Sequence, residues 1–449
     1  MRTRRGMPSA PFGITSTSLT NARNSSKNLP CPVQIYIDCE KFSKKQNSGS
    51  LLNVITRHVF IPQEWANYFH NEYANDVNRR RALLKIVQVG TICAMFRGRY
   101  QYIDPSTTID ATTHANWSEQ EYGDINDEEE QREEEAVDDN SVLKDVSLVQ
   151  LSKKVLLQSI KSSKFVRFEQ SNQPSKYAVT KKKKSKSRRI QDDSDSDDDD
   201  SQQPLENIKT YKTVIQVIKG DCLELALHIK KNLKCNPAML IMASQSHPGG
   251  GYRKGSSAQE EDICRRTNLF MCLEDPYLLD EERSWGYPLP EYGGVYVPTC
   301  IVARESSKNG YAFLKEPQSM SMIVSCAYAN PPVESKGDSI CFGPKLAKCV
   351  TRKMECILQM ALDNGHDSVV LSALGCGAYA NPPRHVAELF KRVISGKFEG
   401  RFKYIFFGIY DDRNAHNNDP LGNVHHFAKV FHGSDDAPTM QEFQFDNVK

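Results

Sequence analysis

From Pro204 onward the sequence alternates strand and helix, and that alternation restricts the chain to layered α/β architectures. A strand is expected at Val214 to Ile218, a helix from Asp221 to about Asn232, a strand at Ala238 to Ala243, a glycine-rich loop at Pro248 to Gly255 and a helix from about Ser257. Strands near Val295 to Pro298 and Met322 to Ala327 follow, then a long helix from Pro344 to Asn364, a strand at Ser368 to Leu374, a helix at Pro383 to Ile394 and a strand at Lys403 to Tyr410. Pro344 suits a first helical position and Gly365 a C-terminal stop, while Met354, Ile357, Leu358, Ala361 and Leu362 share one helical face. That helix is expected to cover a sheet face. Ligands of such sheets bind outside the carboxyl ends of the strands, which puts the junctions after Ala243 and Leu374 on one rim.

The 449 residues, at roughly 150 per domain, predict two or three domains. Lys and Arg number 58 against 56 Asp and Glu, so a net charge of +2 excludes a whole-surface basic coat for nucleic acid. No sequence-specific nucleic-acid contact and no membrane partner are expected, since no run approaches the ~20 apolar residues of a bilayer span. The 13 cysteines lack CxxC or Cys/His ligand spacing, which favours reduced thiols over a disulfide framework or a zinc cluster.

The first 37 residues contain no Asp or Glu and carry Arg2, Arg4, Arg5 and Arg23. This permits a mitochondrial transit peptide, but Pro8, Pro11 and Gly13 spoil an amphipathic helix and favour a disordered tail over 1–31. Residues 32–116 read as a folded N-terminal region, with a strand at Val33 to Ile37 and a helix near Asp76 to Val89. Between 117 and 203 the composition shifts: Asp124 to Asp139 holds ten acidic residues, Lys181 to Arg189 seven basic ones, and Asp192 to Asp200 seven Asp around Ser194 and Ser196. This reads as a long, disordered, charged insertion, with a short helix within Val142 to Phe168. Its basic run fits a nuclear import signal or a solvated polyampholyte, and its serines fit acidic-directed phosphorylation. The nucleus or cytoplasm is therefore the expected location.

Two loops carry the candidate chemistry. The first reads His247-Pro248-Gly249-Gly250-Gly251-Tyr252-Arg253-Lys254-Gly255-Ser256-Ser257-Ala258-Gln259-Glu260-Glu261. Three consecutive glycines allow close approach to a ligand and leave N–H groups to face anionic oxygens, although Ser256 follows where a Walker loop needs Lys. The second reads Gly375-Cys376-Gly377-Ala378-Tyr379-Ala380-Asn381-Pro382-Pro383, between a buried strand and a helix N-terminus. A pair of such loops at one rim is expected to hold a diphosphate, against the alternative that both are tight turns. Ser257-Ala258-Gln259-Glu260 fits a capping box, which would occupy Glu260 and leave Glu261, whose carboxyl beside a phosphate loop is expected to have a raised pKa suited to general-acid work.

The three glycines, the seven intervening residues, Gln259-Glu260-Glu261 and the following Cys264-Arg265-Arg266-Thr267-Asn268-Leu269 resemble the microbial-type poly(ADP-ribose) glycohydrolases, a macrodomain family. The Gly375-Cys376-Gly377-Ala378-Tyr379 loop is similar to that family's second phosphate loop. The resemblance implies a macrodomain-like three-layer α/β/α sandwich over 204–432, an N-terminal accessory region around Arg79 to Thr113, the charged insertion between them, and a C-terminal tail over 433–449.

It also implies cleavage of the ribose–ribose O-glycosidic bond of poly(ADP-ribose). Glu261 would protonate the departing ribose oxygen and then deprotonate the attacking water, one carboxyl acting in both directions, unlike paired-carboxylate glycosidases. Glu260 would hold the ribose hydroxyls with Gln259 in support, the backbone of Gly249 to Gly251 and of Gly375, Cys376, Gly377 and Ala378 would bind diphosphate and ribose, and Tyr379 would pack over the sugar. Ser244 and His247 stand where family members often carry Asn, and Tyr379 where Phe is commoner. His247 is the alternative base, though a loop histidine is more often only a ligand contact or a surface residue. No metal or other cofactor is required. The implied partners are poly(ADP-ribose) or ADP-ribosylated proteins, the setting is removal of ADP-ribosylation in the DNA damage response, and the chain is expected to act as a monomer. A mono-ADP-ribosyl hydrolase and a non-catalytic ADP-ribose reader use the same pocket; the reader has no need of Glu261.

Overall fold

A computed structural model describes residues 62–104, 146–169 and 210–448, apart from Tyr277 and Asp338. The expected tail over 1–31, the strand at Val33 to Ile37, both acidic runs, the Lys181 to Arg189 cluster, Ser194 and Ser196 lie outside these residues.

The N-terminal region opens with α1 (Pro62–Asn67), a π-helical turn (Tyr68–Glu72) and α2 (Val77–Arg97). Asp76 caps α2, its carboxylate accepting from the amides of Asn78 and Arg79, and Gly98 ends it at φ +69°. Then come β1 (Arg99–Ile103), β2 (Val146–Gln150), α3 (Lys153–Lys161), β3 (Lys164–Arg167), β4 (Val214–Lys219), α4 (Cys222–Asn232) and β5 (Pro237–Met242). The first glycine loop leads to α5 (Gln259–Arg266) and α6 (Leu269–Glu274), followed by the long strands β6 (Gly293–Arg304) and β7 (Phe313–Ser325). The hairpin β8 (Val333–Lys336) and β9 (Ser339–Phe342), α7 (Pro344–Asp363), β10 (Ser368–Leu371), α8 (Pro383–Ser395), β11 (Tyr404–Ile409), α9 (Arg413–Asn418) and α10 (Gly422–His432) complete the order.

Seven strands form one mixed sheet in the order β3-β6-β7-β5-β10-β11-β4. The β3, β6 and β7 pairings are antiparallel, and those from β7 through β5, β10 and β11 to β4 are parallel. Alternate residues of β5 serve opposite faces. Met239 and Ile241 join Leu223, Ala226 and Ile229 of α4 and Ile263 of α5 in one core cluster. Ala238 and Leu240 join Met354, Ile357, Leu358 and Ala361 of α7 and Leu389 and Phe390 of α8 in the other. Each fully buried large aliphatic side chain contributes roughly 1.5–3 kcal/mol, so both faces anchor the sheet.

Two expectations need correction. Residues 146–169, assigned by composition to the charged insertion, are folded, and β3 pairs with β6 at the sheet edge. The flanking charge runs obscured it, because only short apolar stretches within 146–169 carry the signal; the expected helix is the nine residues of α3. Residues 433–448 are likewise no free tail. Lys219 bridges Thr439, and Phe443 and Phe445 pack on Phe406 of β11.

Because β5 and β10 are parallel neighbours, the loops after them leave the same edge of the sheet, as the alternating pattern requires. A smaller cluster of Trp65, Phe69, Leu83, Leu84, Val87 and Tyr311 joins the N-terminal helices to the loop before β7. Among the described residues no helix is long and apolar enough to cross a membrane.

Candidate active site

The strand β5 ends at Met242, and the chain must turn over its end before starting α5. It does so on glycine: Gly249 and Gly250 have φ of +70° and +59°, a region that glycine enters without steric cost. The turn closes over two carboxylates in the first turn of α5. Glu260 is 2% exposed, and its two oxygens accept from the amides of Gly249 (3.0 Å) and Ser244 (2.7 Å). Glu261 is 8% exposed; its Oε1 accepts from the Gly251 amide at 2.8 Å, and its Oε2 is buried with no hydrogen-bond partner among the described residues. A Cβ at Gly250 would lie 2.5 Å from Glu261 Oε1 and 2.9 Å from Glu260 Oε2, so the carboxylates occupy the space any side chain would need.

This arrangement overturns two expectations. The capping box is absent: Ala258 is the N-cap residue and receives no side-chain bond, because the amides of Ser244 and Gly249 claim Glu260 instead. The three glycine amides are also not free for an anion. Gly249 and Gly251 donate to the two glutamates, and Gly250 donates to the His247 carbonyl. Two buried carboxylates are the stronger acceptors, and unpaired they would cost several kcal/mol.

Gln259 fixes the start of α5 to the sheet, its Oε1 accepting from the Met242 amide (2.7 Å) and its Nε2 donating to the Leu240 carbonyl (3.0 Å). It completes the end of β5 as a strand neighbour would. Burial pushes the Glu260 carboxyl well above the usual carboxylate range, and the neighbouring Glu261 adds to this, while the Ser244 and Gly249 amides pull the other way. The pair is thus divided: Glu260 has both oxygens engaged by backbone, and Glu261 has one oxygen without a partner.

The second loop differs. The amides of Gly375, Gly377, Ala378 and Tyr379 have no acceptor among the described residues, whereas those of Cys376, Ala380 and Asn381 bond within the loop. Gly375 sits at φ +77° and Ala380 at +49°, left-handed conformations that curl the backbone at either end of this stretch. Asn381, 2% exposed, pins the curl from beneath, its Nδ2 donating to the carbonyls of Tyr328 (2.8 Å), Gly375 (3.1 Å) and Tyr379 (3.1 Å). Asn418 holds it from outside through the Gly377 carbonyl at 2.6 Å.

Tyr379 is half-buried, and burial raises its phenol, with Ser244 as a hydrogen-bonding neighbour and Glu260 and Glu261 within electrostatic reach. That residue joins the two loops. His247 is exposed at the mouth, its amide donating to Ser244 Oγ at 3.2 Å. The structure therefore brings Ser244, Gly249 to Gly251, Gln259, Glu260, Glu261 and the Gly375 to Tyr379 loop together at one rim.

Sequence reasoning missed Asn381, Asn418 and Tyr287. The Tyr287 hydroxyl is buried without a partner among the described residues, and burial pushes it well above its ordinary value, with Glu260 nearby. The segment is tied to the first loop by the Leu289 amide, which donates to the Gln245 carbonyl at 2.8 Å. Its signal in sequence is an aromatic between Gly286 and Pro288, too common a pattern to single out. Among the described residues no group of three or more His, Cys, Asp or Glu side chains is placed to hold a metal ion.

No curated protein matches the sequence. Among solved structures, the poly(ADP-ribose) glycohydrolase of Thermomonospora curvata bound to the inhibitor ADP-HPD is 21% identical, covering 79% of this chain and 99% of that one at a TM-score of 0.48. The poly(ADP-ribose) glycohydrolase of Deinococcus radiodurans in complex with ADP-ribose is 21% identical over 50% of this chain and 86% of that one, at a TM-score of 0.38. The family model for the catalytic domain of microbial-type PARG matches residues 131–305, a span that contains the first glycine loop, Gln259, Glu260 and Glu261. The part of the chain that carries the divided pair of buried carboxylates is thus similar to the catalytic domain of microbial-type PARG.

Proposed function

We propose that Glu261 is the group that moves the proton in hydrolysis of poly(ADP-ribose). The observation that carries this reading is the unpartnered Oε2 of Glu261 beside a Glu260 whose two oxygens are both held by backbone amides. Glu261 donates its proton to the leaving ribose oxygen as the ribose–ribose bond breaks, and the oxocarbenium centre is trapped by a water that returns a proton to the same carboxylate. Fixing Oε1 on the Gly251 amide leaves Oε2 as the exchanging oxygen in both steps.

Glu260 retains lone pairs on both oxygens, which suit it to accept from ribose hydroxyls. Tyr379 packs over the sugar, and Ser244 and His247 line the entrance. The diphosphate falls to the second loop, where the four unspent amides precede the N-terminus of α8 and its favourable dipole. On this reading the described residues of 204–432 form a macrodomain-like three-layer α/β/α sandwich, an assignment supported by a core cluster on each face of the sheet, and the working unit also takes in 146–169 and the 433–448 segment.

The test is release of ADP-ribose from purified poly(ADP-ribose) by the intact protein and by Glu261→Gln, with ADP-ribose binding followed by calorimetry. Turnover is expected to fall about 10³-fold in the variant with binding retained. Binding without release by the intact protein would make it a reader or a mono-ADP-ribosyl hydrolase, and a fully active Glu261→Gln would remove Glu261 from the chemistry.

A further inference from the structure

A helix leaves its last four carbonyls without intrahelical donors, and in an eight-residue helix that is half of its length. In α5 the next residue, Thr267, is extended, so no tightened turn or glycine cap takes up those carbonyls. Side chains do so instead. Thr267 Oγ1 donates to the Ile263 carbonyl at 2.7 Å, Gln88 Nε2 to the Cys264 carbonyl at 3.3 Å, and Thr91 Oγ1 to the Arg265 carbonyl, a closer acceptor than the Val87 carbonyl of its own helix at 3.0 Å. Two of these three donors come from α2, far away in sequence.

The same helix α2 also touches the loop that holds the glutamates. Gly255 has φ +74°, and a Cβ there would lie 2.4 Å from the Arg81 carbonyl oxygen. From the α5 end, Arg265 Nη1 donates to the Ser256 carbonyl (2.7 Å), the Ser256 amide donates to the Gly251 carbonyl (3.2 Å), and the Gly251 amide donates to Glu261 Oε1. Arg265 lies four residues after Glu261, about 6 Å along the helix. A displacement of the capped end is therefore felt at the carboxylate through the helix and through the loop. Thr91 is itself held by Arg304, whose Nε donates to its hydroxyl at 2.9 Å and polarises it toward the Arg265 carbonyl.

We propose that Thr91 and Gln88 are positioning residues for Glu261, holding the catalytic helix from its C-terminal end so that the N-terminal region sets the geometry of the carboxylate. Neither side chain belongs to the site rim. The inference rests on the reading of Glu261 as the proton carrier.

Steady-state release of ADP-ribose by the full chain is compared for the unmodified protein, Thr91→Val, Thr91→Ser and Gln88→Met, with ADP-ribose affinity and thermal melting measured alongside. Thr91→Val keeps the shape and removes the donor; kcat is expected to fall about tenfold while KM and ADP-ribose affinity hold, and Thr91→Ser is expected to restore kcat. Gln88→Met also removes the buried Oε1 that has no partner, so it is the milder change for folding and carries the test if Thr91→Val does not fold. In Gln88→Met kcat is expected to fall severalfold at constant KM. Unchanged kcat in the folded variants, or equal loss of kcat and of ADP-ribose affinity, would overturn the positioning role. An unmodified protein that binds ADP-ribose without releasing it would instead overturn the proton-carrier reading.

Discussion

At the scale of single residues, the glycines of the first loop are set by what lies beneath them. Gly250 must combine φ +59° with an empty space, because two carboxylate oxygens lie within 2.9 Å of where its Cβ would be. Gly250→Ala is expected to displace Glu261 or Glu260, lowering turnover about 100-fold, and to cost about 1–2 kcal/mol for the left-handed backbone. Gly337, in the β8–β9 turn, separates the two effects: its φ is +60°, and nothing lies within 4 Å of its Cβ position. Gly337→Ala is expected to lower the melting temperature to a similar degree while leaving turnover unchanged. Equal losses of turnover in both variants, measured by ADP-ribose release, would assign the effect to backbone strain and not to the carboxylates.

At the scale of elements, β3 lies at one edge of the sheet, where its register on β6 runs from Lys164 opposite Tyr296 to Arg167 opposite Gly293. Phe165 stacks on Trp285 at 5.8 Å, and Ser159 of α3 accepts from Asn268 Nδ2 at 3.0 Å just beyond α5. A chain truncated to begin at Pro204 would expose the edge of β6 and leave the buried Asn268 amide unpaired. It is expected to melt at least 5 °C below the full chain or to aggregate, and equal melting temperatures by calorimetry would show that β3 and α3 are dispensable. This element also shows where sequence patterning stops. The alternation from β4 to β11 was legible because buried strands and amphipathic helices carry distinct apolar periods, and the rim followed from parallel neighbours. The four-residue β3 is too short to have a period, and its role depends on a partner more than a hundred residues away. The glutamates were legible as candidate site residues beside a glycine loop, but the capture of Glu260 by the amides of Ser244 and Gly249 was not, since a local capping pattern carries no record of tertiary competitors. Asn381 was hidden for the same reason: its three carbonyl partners are assembled only by the fold.

At the scale of the whole molecule, neutral histidines tie helices to strand edges. The Val217 amide of edge strand β4 donates to His432 Nε2 at 3.1 Å, and the Phe342 amide of β9 donates to His385 Nδ1 at 2.9 Å. Each nitrogen must be unprotonated to accept, and burial lowers both imidazoles from 6.5. A histidine lowered in the fold binds fewer protons there than in the unfolded chain. Its contribution is therefore complete above pH 6.5 and is lost as pH falls below that value through the folded pKa. Glu260 works in the opposite direction, since a raised carboxyl gains a proton more readily in the fold as pH falls. Comparing the chain with a His432→Gln, His385→Asn variant cancels that contribution, because the amide oxygens of Gln and Asn can accept the same backbone bonds without titrating. Melting followed from pH 8 to pH 5 is expected to show the unmodified chain losing stability below pH 6.5 more steeply than the variant, with the two curves parallel above pH 7. Curves that stay parallel down to pH 5 would mean that these two contacts do not govern the acid limit of the fold.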